Sequence, residues 1–265
     1  VETRYKKKEN PTFNLMIKVV LLGAGNVGVN LFKALQNKNG IELVQWYNRS
    51  VIQYKQGDSV VPVTTQLNEI VEADLYLISV SDTAITPVSK ALENKKGLVA
   101  HTAGSVALSL LEGHQNHAVF YPLQTFSKQK EVDFSQIPLC LEANSEENLN
   151  LLKSVAQAMG GPIHLIDSVQ RKALHVAAVF VNNFTNYLYT IGEELCKEHK
   201  VPFSVLQPLI AETADKIKTI PPSAAQTGPA IRGDQKILED HLQYLTKESH
   251  QQLYQLISAS IQQHG

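Results

Sequence analysis

From Met16 onward the chain alternates between short, continuous apolar runs and longer stretches whose apolar residues recur every three or four positions. Ile17 to Leu22 is a β-rich run of the kind expected for a strand buried on both faces. Asn26 to Gln36 follows with Val27, Leu31 and Leu35 at four-residue spacing, which predicts a helix. Strands are predicted at Ile41 to Tyr47, Val60 to Thr64, Leu75 to Val80, Gly97 to His101 and Ala118 to Tyr121. Helices are predicted at Gln66 to Glu72 and at Ile85 to Glu93, with Pro87 in the first turn of the second. Such strand–helix–strand repeats build a parallel sheet with right-handed crossovers. Two more strands, Pro138 to Leu141 and Pro162 to Ile166, flank a helix from Glu146 to Met159 that Gly160-Gly161 ends. After Asp167 the strand signal disappears. Ser168 to His199 reads as one long helix, and Leu206 to Thr219 and Asp234 to Gln263 are also helical, with a break at Pro221-Pro222. The predicted class is therefore α/β: a doubly wound parallel sheet over residues 16–167, then an all-α domain over 168–265.

Composition narrows the classes of function. The chain has 265 residues, 43% of them hydrophobic, which is enough for a core and argues against disorder. Its 24 Lys and Arg face 25 Asp and Glu. This balance lacks the basic field that nucleic-acid binding requires. Cys140 and Cys196 match no zinc or redox spacing, and His114 and His117 form the one close histidine pair, in a predicted loop, so no metal site is expected. No apolar run has the length of a membrane span. Residues 1–15 are polar and charged and read as a flexible extension without the apolar core of a signal peptide. The expected setting is the cytoplasm, with two reduced thiols.

Gly23-Ala24-Gly25-Asn26-Val27-Gly28 is a G-x-G-x-x-G motif that follows a strand and opens a helix, the context a dinucleotide-binding turn needs. Gly23 permits the tight turn, Gly25 admits the pyrophosphate and Gly28 lets helix and strand pack closely. The first-turn N–H groups, with Asn26 and Val27 at the helix start, then meet the phosphates. The second strand ends in Tyr47-Asn48-Arg49-Ser50, where an NAD site carries Asp or Glu. Asn48, Arg49 and Ser50 instead offer amide, cation and hydroxyl groups suited to a 2′-phosphate. That favours NADP; the other reading of Arg49 is a solvated loop cation.

The fingerprint, the Asn-Arg-Ser triplet and the helical second half together resemble the superfamily of 6-phosphogluconate and β-hydroxyacid dehydrogenases. Pyrroline-5-carboxylate reductases and deazaflavin-dependent NADP reductases are relatives. Four further stretches are similar to a bacterial family of uncharacterised NADP oxidoreductases that join a Rossmann-like domain to a helical domain of unknown function. They are His101-Thr102-Ala103-Gly104-Ser105, Tyr121-Pro122-Leu123-Gln124, His175 to Phe184, and Thr227 to Asp234. The resemblance covers Met16 to the C-terminus. It implies NADP binding and a homodimer formed through the helical domain, and it supplies no reaction.

Candidate chemistry lies beyond the carboxyl ends of the strands, where the loops Ser79 to Asp82, His101 to Ser105 and Tyr121 to Gln124 sit. By resemblance, Val80 and Ser81 border the adenosine side, and the loop carrying His101 and Ser105 borders the nicotinamide. His101 is a candidate substrate ligand, or a strand-end residue bracing its loop; Ser81 is alternatively the N-cap of the next helix. On the long helix, His175, Asn182 and Asn186 share an α-helical face and Asn183 lies one stripe away. Related dehydrogenases place a catalytic Lys and Asn on this helix. Here no Lys stands four residues before Asn182 or Asn183, so His175 is the acid/base candidate. Asn183 or Asn182 would then orient the substrate in an interdomain cleft, unless the cluster only braces two domains. Arg232 is a candidate clamp for a substrate carboxylate, and Asp234 a helix cap. Leu206, Leu209 and Ile210, with Leu253, Leu256, Ile257 and Ile261, supply apolar stripes for a dimer. Two functions fit these features: an NADP-dependent oxidoreductase acting on a small carbonyl, alcohol or imine, or a non-catalytic NADP-binding sensor or assembly module.

Overall fold

The computed structural model describes residues 16–52 and 60–264. The extension expected at 1–15 lies outside the described residues. Eight strands form one sheet: Ile17–Leu22 (β1), Ile41–Tyr47 (β2), Val63–Thr64 (β3), Leu75–Ile78 (β4), Leu98–His101 (β5), His117–Pro122 (β6), Leu139–Ala143 (β7) and Ile163–Leu165 (β8). Their order is β3-β2-β1-β4-β5-β6-β7-β8. The first six strands in this order have the doubly wound arrangement of a Rossmann fold, reversing direction beside β1. All pairs are parallel except β6 with β7. That antiparallel step departs from the all-parallel expectation. Its cause is the connection: only the short 3₁₀ turn Phe134–Gln136 lies between β6 and β7, not a crossover helix.

The central strands β4, β5 and β6 and most of β1 are buried on both faces, as the continuous apolar runs require. Val19 and Leu21 of β1 point into one core with Phe32 and Leu35 of Asn26–Leu35 (α1) and Leu152 and Val155 of Glu146–Met159 (α3). Val20 and Leu22 point into the other, with Ile85 and Val88 of Asp82–Lys90 (α2). The α2 helix starts earlier than its apolar spacing indicates, because its first turn is polar and begins with Asp82, favourable at a helix N-terminus. Pro87 is therefore inside the helix rather than in its first turn, and gives no N–H to the Thr83 carbonyl.

A capping box starts the long helix. Asp167 accepts from the N–H of Gln170, whose side chain accepts from the N–H of Asp167 in return. The helix continues as Ser168–Ala178 (α4), a π-helical stretch Val179–Phe184 and Thr185–Glu198 (α5). The period changes within the π stretch, so the 3.6-residue spacing that grouped His175 with Asn182 and Asn186 does not carry through it. Arg171 in α4 is 1% exposed and is ion-paired with Glu142 of β7. It also donates to the Val106 carbonyl at 2.6 Å. Glu142 accepts from the N–H and hydroxyl of Ser168 as well. Removing one partner of so buried a pair leaves an uncompensated charge, typically at a cost of about 3–5 kcal/mol.

These bonds explain why the chain divides into compact units after Val179, further along than Asp167: the turns of α4 are tied to the sheet. The second unit, from Phe180, contains α5 and the helices Gln207–Lys216 (α6), Pro222–Ala225 (α7), Gln235–Tyr244 (α8) and Glu248–His264 (α9). Within it, Lys247 pairs with Glu194 and His241 bonds Tyr254 at 2.8 Å. Among the described residues, no helix is long and apolar enough to cross a membrane.

Candidate active site

The turn after β1 is shaped by close approach. Gly23 has φ +116°, and a Cβ there would lie 2.1 Å from the Ser79 carbonyl oxygen at the end of β4. Trp46 of β2, stacked on Phe32, donates its indole N–H to the Gly23 carbonyl at 2.8 Å. Gly28 packs on that same carbonyl, 2.3 Å from its virtual Cβ. Gly25 differs: it has ordinary extended angles, and a Cβ would meet nothing within 4 Å. Nothing in the fold calls for glycine at 25, while a ligand brought close to the backbone would. The α1 N-terminus that follows has no side-chain cap and no acidic residue in its first turn, leaving it open to an anion.

Gly23, Gly25, Asn26 and Val27 line a cleft of about 720 Å³ in the first unit. Asn48, Arg49, Val80 and Ser81 also line it, as expected of cofactor contacts. Asn48 ties the second strand to the glycine turn by accepting from the N–H of Ala24 at 3.2 Å. It also donates to the backbone and hydroxyl oxygens of Ser50. Gly28 and Ser50, expected among the cofactor contacts, do not line it: Gly28 packs on the Gly23 carbonyl and Ser50 is turned to Asn48. Ser81 immediately precedes α2 but makes no side-chain cap bond.

At the other end the cleft is lined by Thr102, Ala103 and Gly104 after β5, by Tyr121, Pro122 and Gln124 at the end of β6, and by His175 of α4. The Tyr121 hydroxyl lies 3.3 Å from His175 Nδ1. Burial and the neighbouring Cys140 thiol push the Tyr121 phenol up, with Arg171 pulling partly back. The sequence places Tyr121 to Gln124 in a loop at the ligand end of the sheet and gives neither Tyr121 nor Gln124 a role of its own. Their position at the carboxyl end of a parallel strand was the available signal.

Other residues stand elsewhere than expected. His101 is fully buried and does not line the cleft. Its Nδ1 accepts from the N–H of Ala103, and its Nε2 lies 3.4 Å from the Ala107 carbonyl, so the ring braces the loop. Burial, then the Arg171 charge, pushes it down to about 4. Ser105 donates its hydroxyl to Asp82 at 2.5 Å and is not on the cleft wall. Asn182 and Asn183 are exposed in the π stretch of the second unit. Arg232 is paired with Asp234 at 3.4 Å, and Asp234 makes no side-chain cap bond to α8, so it partners the cation instead of capping. Among the described residues, no group of three or more His, Cys, Asp or Glu could hold a metal ion. His114 and His117 are both buried, joined by a bond from the His117 ring to the His114 carbonyl.

Comparison with known proteins places these features in a family. Residues 137–261 match a domain of unknown function, DUF2520, whose span begins inside the sheet, before β7. A solved structure from Bacteroides fragilis, provisionally named an NADP oxidoreductase, is 41% identical. It superposes with a TM-score of 0.85 over 94% of this chain and 99% of that one. A Thermotoga maritima protein has the same fold at 21% identity and a TM-score of 0.70, over 93% of this chain and 97% of that one. Pyrroline carboxylate reductase of Plasmodium falciparum, solved with NADP bound, shares the fold at 14% identity and a TM-score of 0.59, over 95% and 99%. None of the curated proteins matches.

The buried His101 predicts an acid-sensitive fold. Its ring stays neutral when folded until about pH 4, whereas the unfolded chain takes up the proton near 6.5. Stability supplied by neutral His101 is complete above about pH 6.5 and is lost as pH falls from there through 4, up to about 3 kcal/mol. Urea unfolding of wild type and His101→Gln across this range tests it. The variant should show a shallower loss with acid, and parallel pH profiles would contradict the assignment.

Proposed function

Since this chain belongs to the family of the Bacteroides fragilis protein provisionally named an NADP oxidoreductase, we propose that it is an NADP-dependent oxidoreductase acting on a small carbonyl, alcohol or imine. The observation that carries this reading is a single cleft joining an anion-ready glycine turn to a half-buried histidine. When bound, NADP supplies hydride donation or acceptance at its nicotinamide. The residues fit such a group. The free space over Gly25 and the uncapped start of α1 suit a pyrophosphate. Arg49, beside Asn48, suits a 2′-phosphate, and no carboxylate stands directly at the end of β2 to select NAD.

Hydride transfer to a carbonyl or imine leaves the heteroatom needing one proton; the reverse reaction releases one. His175 is the imidazole on the cleft wall and serves as the donor or acceptor. The wall around it, formed by Gly104, Tyr121 and Pro122, is part of the first unit, so the cofactor turn and the proton carrier share one rigid support.

A homodimer through the helical unit completes the proposal. Phe180, Val181, Phe184 and Leu256 are 62%, 75%, 51% and 66% exposed. Phe180, Phe184 and Leu256 line an apolar groove of about 880 Å³ together with Leu188, Ile257 and Ile261. Contiguous apolar surface of this kind is rare on a monomer. Leu209, from the stripes read in the sequence, is also exposed.

Three measurements test these statements. Titration should give tighter binding of NADP than NAD. Arg49→Ala should remove that preference, worth about 1.5–3 kcal/mol, and Gly25→Val should abolish binding without lowering Tm. Equal affinities in wild type, or undiminished binding to Gly25→Val, contradict the cofactor assignment. A screen of keto acids, hydroxy acids and cyclic imines for NADP(H)-linked turnover should find a substrate. On it, His175→Gln should lose about 10²–10⁴ in kcat while keeping its NADP affinity; full activity assigns His175 to structure. Light scattering at micromolar concentration should give twice the chain mass, and a monomeric mass rejects the dimer.

A further inference from the structure

Three separate elements converge on one pair of side chains at the end of the cleft. Tyr121 is carried by β6, opposite Cys140 of β7. His175 is carried by α4, whose first turn is fixed by the Asp167–Gln170 capping box and the Arg171–Glu142 ion pair. The two rings meet edge-on, with centroids 6.3 Å apart at 65°, and the phenol oxygen lies 3.3 Å from Nδ1. Gly104, in the loop after β5, packs against both rings. A Cβ there would lie 2.6 Å from His175 Nδ1 and 2.7 Å from Tyr121 Cζ. The contact therefore exists only because residue 104 has no side chain. Among the described residues, nothing hydrogen-bonds His175 Nε2.

We propose that Tyr121 is a positioning residue of this site: its hydroxyl holds the His175 ring through Nδ1, so that Nε2 is the nitrogen presented to the cleft. The proposal rests on the reading of His175 as the proton carrier.

A phenol suits this task because it both donates and accepts. When the ring is neutral, the hydroxyl donates to bare Nδ1 and the ring carries its proton on Nε2. When the ring is an imidazolium, Nδ1–H donates to the phenol oxygen instead. A carboxylate accepts only, and would pull the ring toward its charged form. The hydroxyl thus keeps one ring orientation through the chemical step: the imidazolium gives its Nε2 proton to the substrate heteroatom, the neutral ring left behind keeps its Nδ1–H donated to the phenol oxygen, and bare Nε2 then regains a proton from solvent. Burial of Tyr121 works in the same direction, since it keeps the phenol protonated despite Arg171 nearby.

The test is nitrogen NMR on protein labelled with ¹⁵N-histidine, without ligand, at a pH well above the ordinary imidazole range. The His175 signals are identified by their loss in His175→Gln. In wild type, Nε2 should carry the proton and the Nδ1 resonance should lie upfield, as hydrogen bonding to a bare ring nitrogen requires. In Tyr121→Phe, which removes one oxygen atom, Nδ1 should move downfield to the position of an unbonded nitrogen. Should that variant not fold, Gly104→Ala carries the same test, because it forces the rings apart with both functional groups intact. An Nδ1 resonance unchanged by the substitution overturns the role of Tyr121. Full turnover of His175→Gln overturns instead the reading of His175 on which it rests, so the two failures are distinguishable.

Discussion

The Gly23 carbonyl is the point on which the cofactor end of the cleft turns. It accepts the Trp46 indole N–H, it is the surface on which Gly28 packs, and the residue that owns it is pressed against the end of β4 with φ +116°. β1, β2, β4 and α1 are locked together at this one turn. The start of α1 consequently points into the cleft without a capping side chain. Where the chain most needs small residues for its own packing, at 23 and 28, the reason is internal. At 25 it is not, and that difference separates a merely tight turn from one prepared for a ligand.

The opposite end depends on a buried charge. Arg171 is held by Glu142 and the Val106 carbonyl, and its position fixes α4 against β7 and the loop after β5. One turn further along, His175 reaches the cleft beside Tyr121. The same cation lowers the affinity of His101 for protons, which suits a ring that stays neutral inside the loop. An expensive buried ion pair is thus placed where it orients the helix bearing the proposed proton carrier. The π stretch begins at Val179, where the first compact unit ends, so the α4 turns that carry Arg171 and His175 belong to the sheet side.

Much of this was legible in the residues, and the exceptions have physical reasons. Ile17–Leu22, Ile41–Tyr47 and Glu146–Met159 form where their periodicity places them, because buried strands and amphipathic helices are written in local patterns. The antiparallel direction of β7 was not legible, since an apolar run carries no sign of direction. The π stretch was not either: a change from i→i+4 to i→i+5 bonding leaves no mark in residue type. In the site, the strained glycine turn and the place of Arg49 on the cleft wall were readable because both follow directly from the ends of β1 and β2. His101 was open between substrate ligand and loop brace, because its place at a strand end fits both; its ring turns back to bond the loop at Ala103 and Ala107. Arg171 was not legible, and of Tyr121 only its place in a ligand-end loop was, because what the two residues do depends on Glu142 and His175, distant partners in sequence.

Under the proposed function, the glycine turn and the His175 wall are two ends of one nucleotide site. Amide hydrogen exchange with and without saturating NADP tests it most directly, because it reports both ends in one experiment. Saturating NADP should slow exchange at Ala24 to Gly28, at Arg49 and Ser50, and at Ala103 and Gly104, and leave the remote α3 helix unchanged. Protection confined to residues outside the cleft, or no protection at all at saturating NADP, would contradict it.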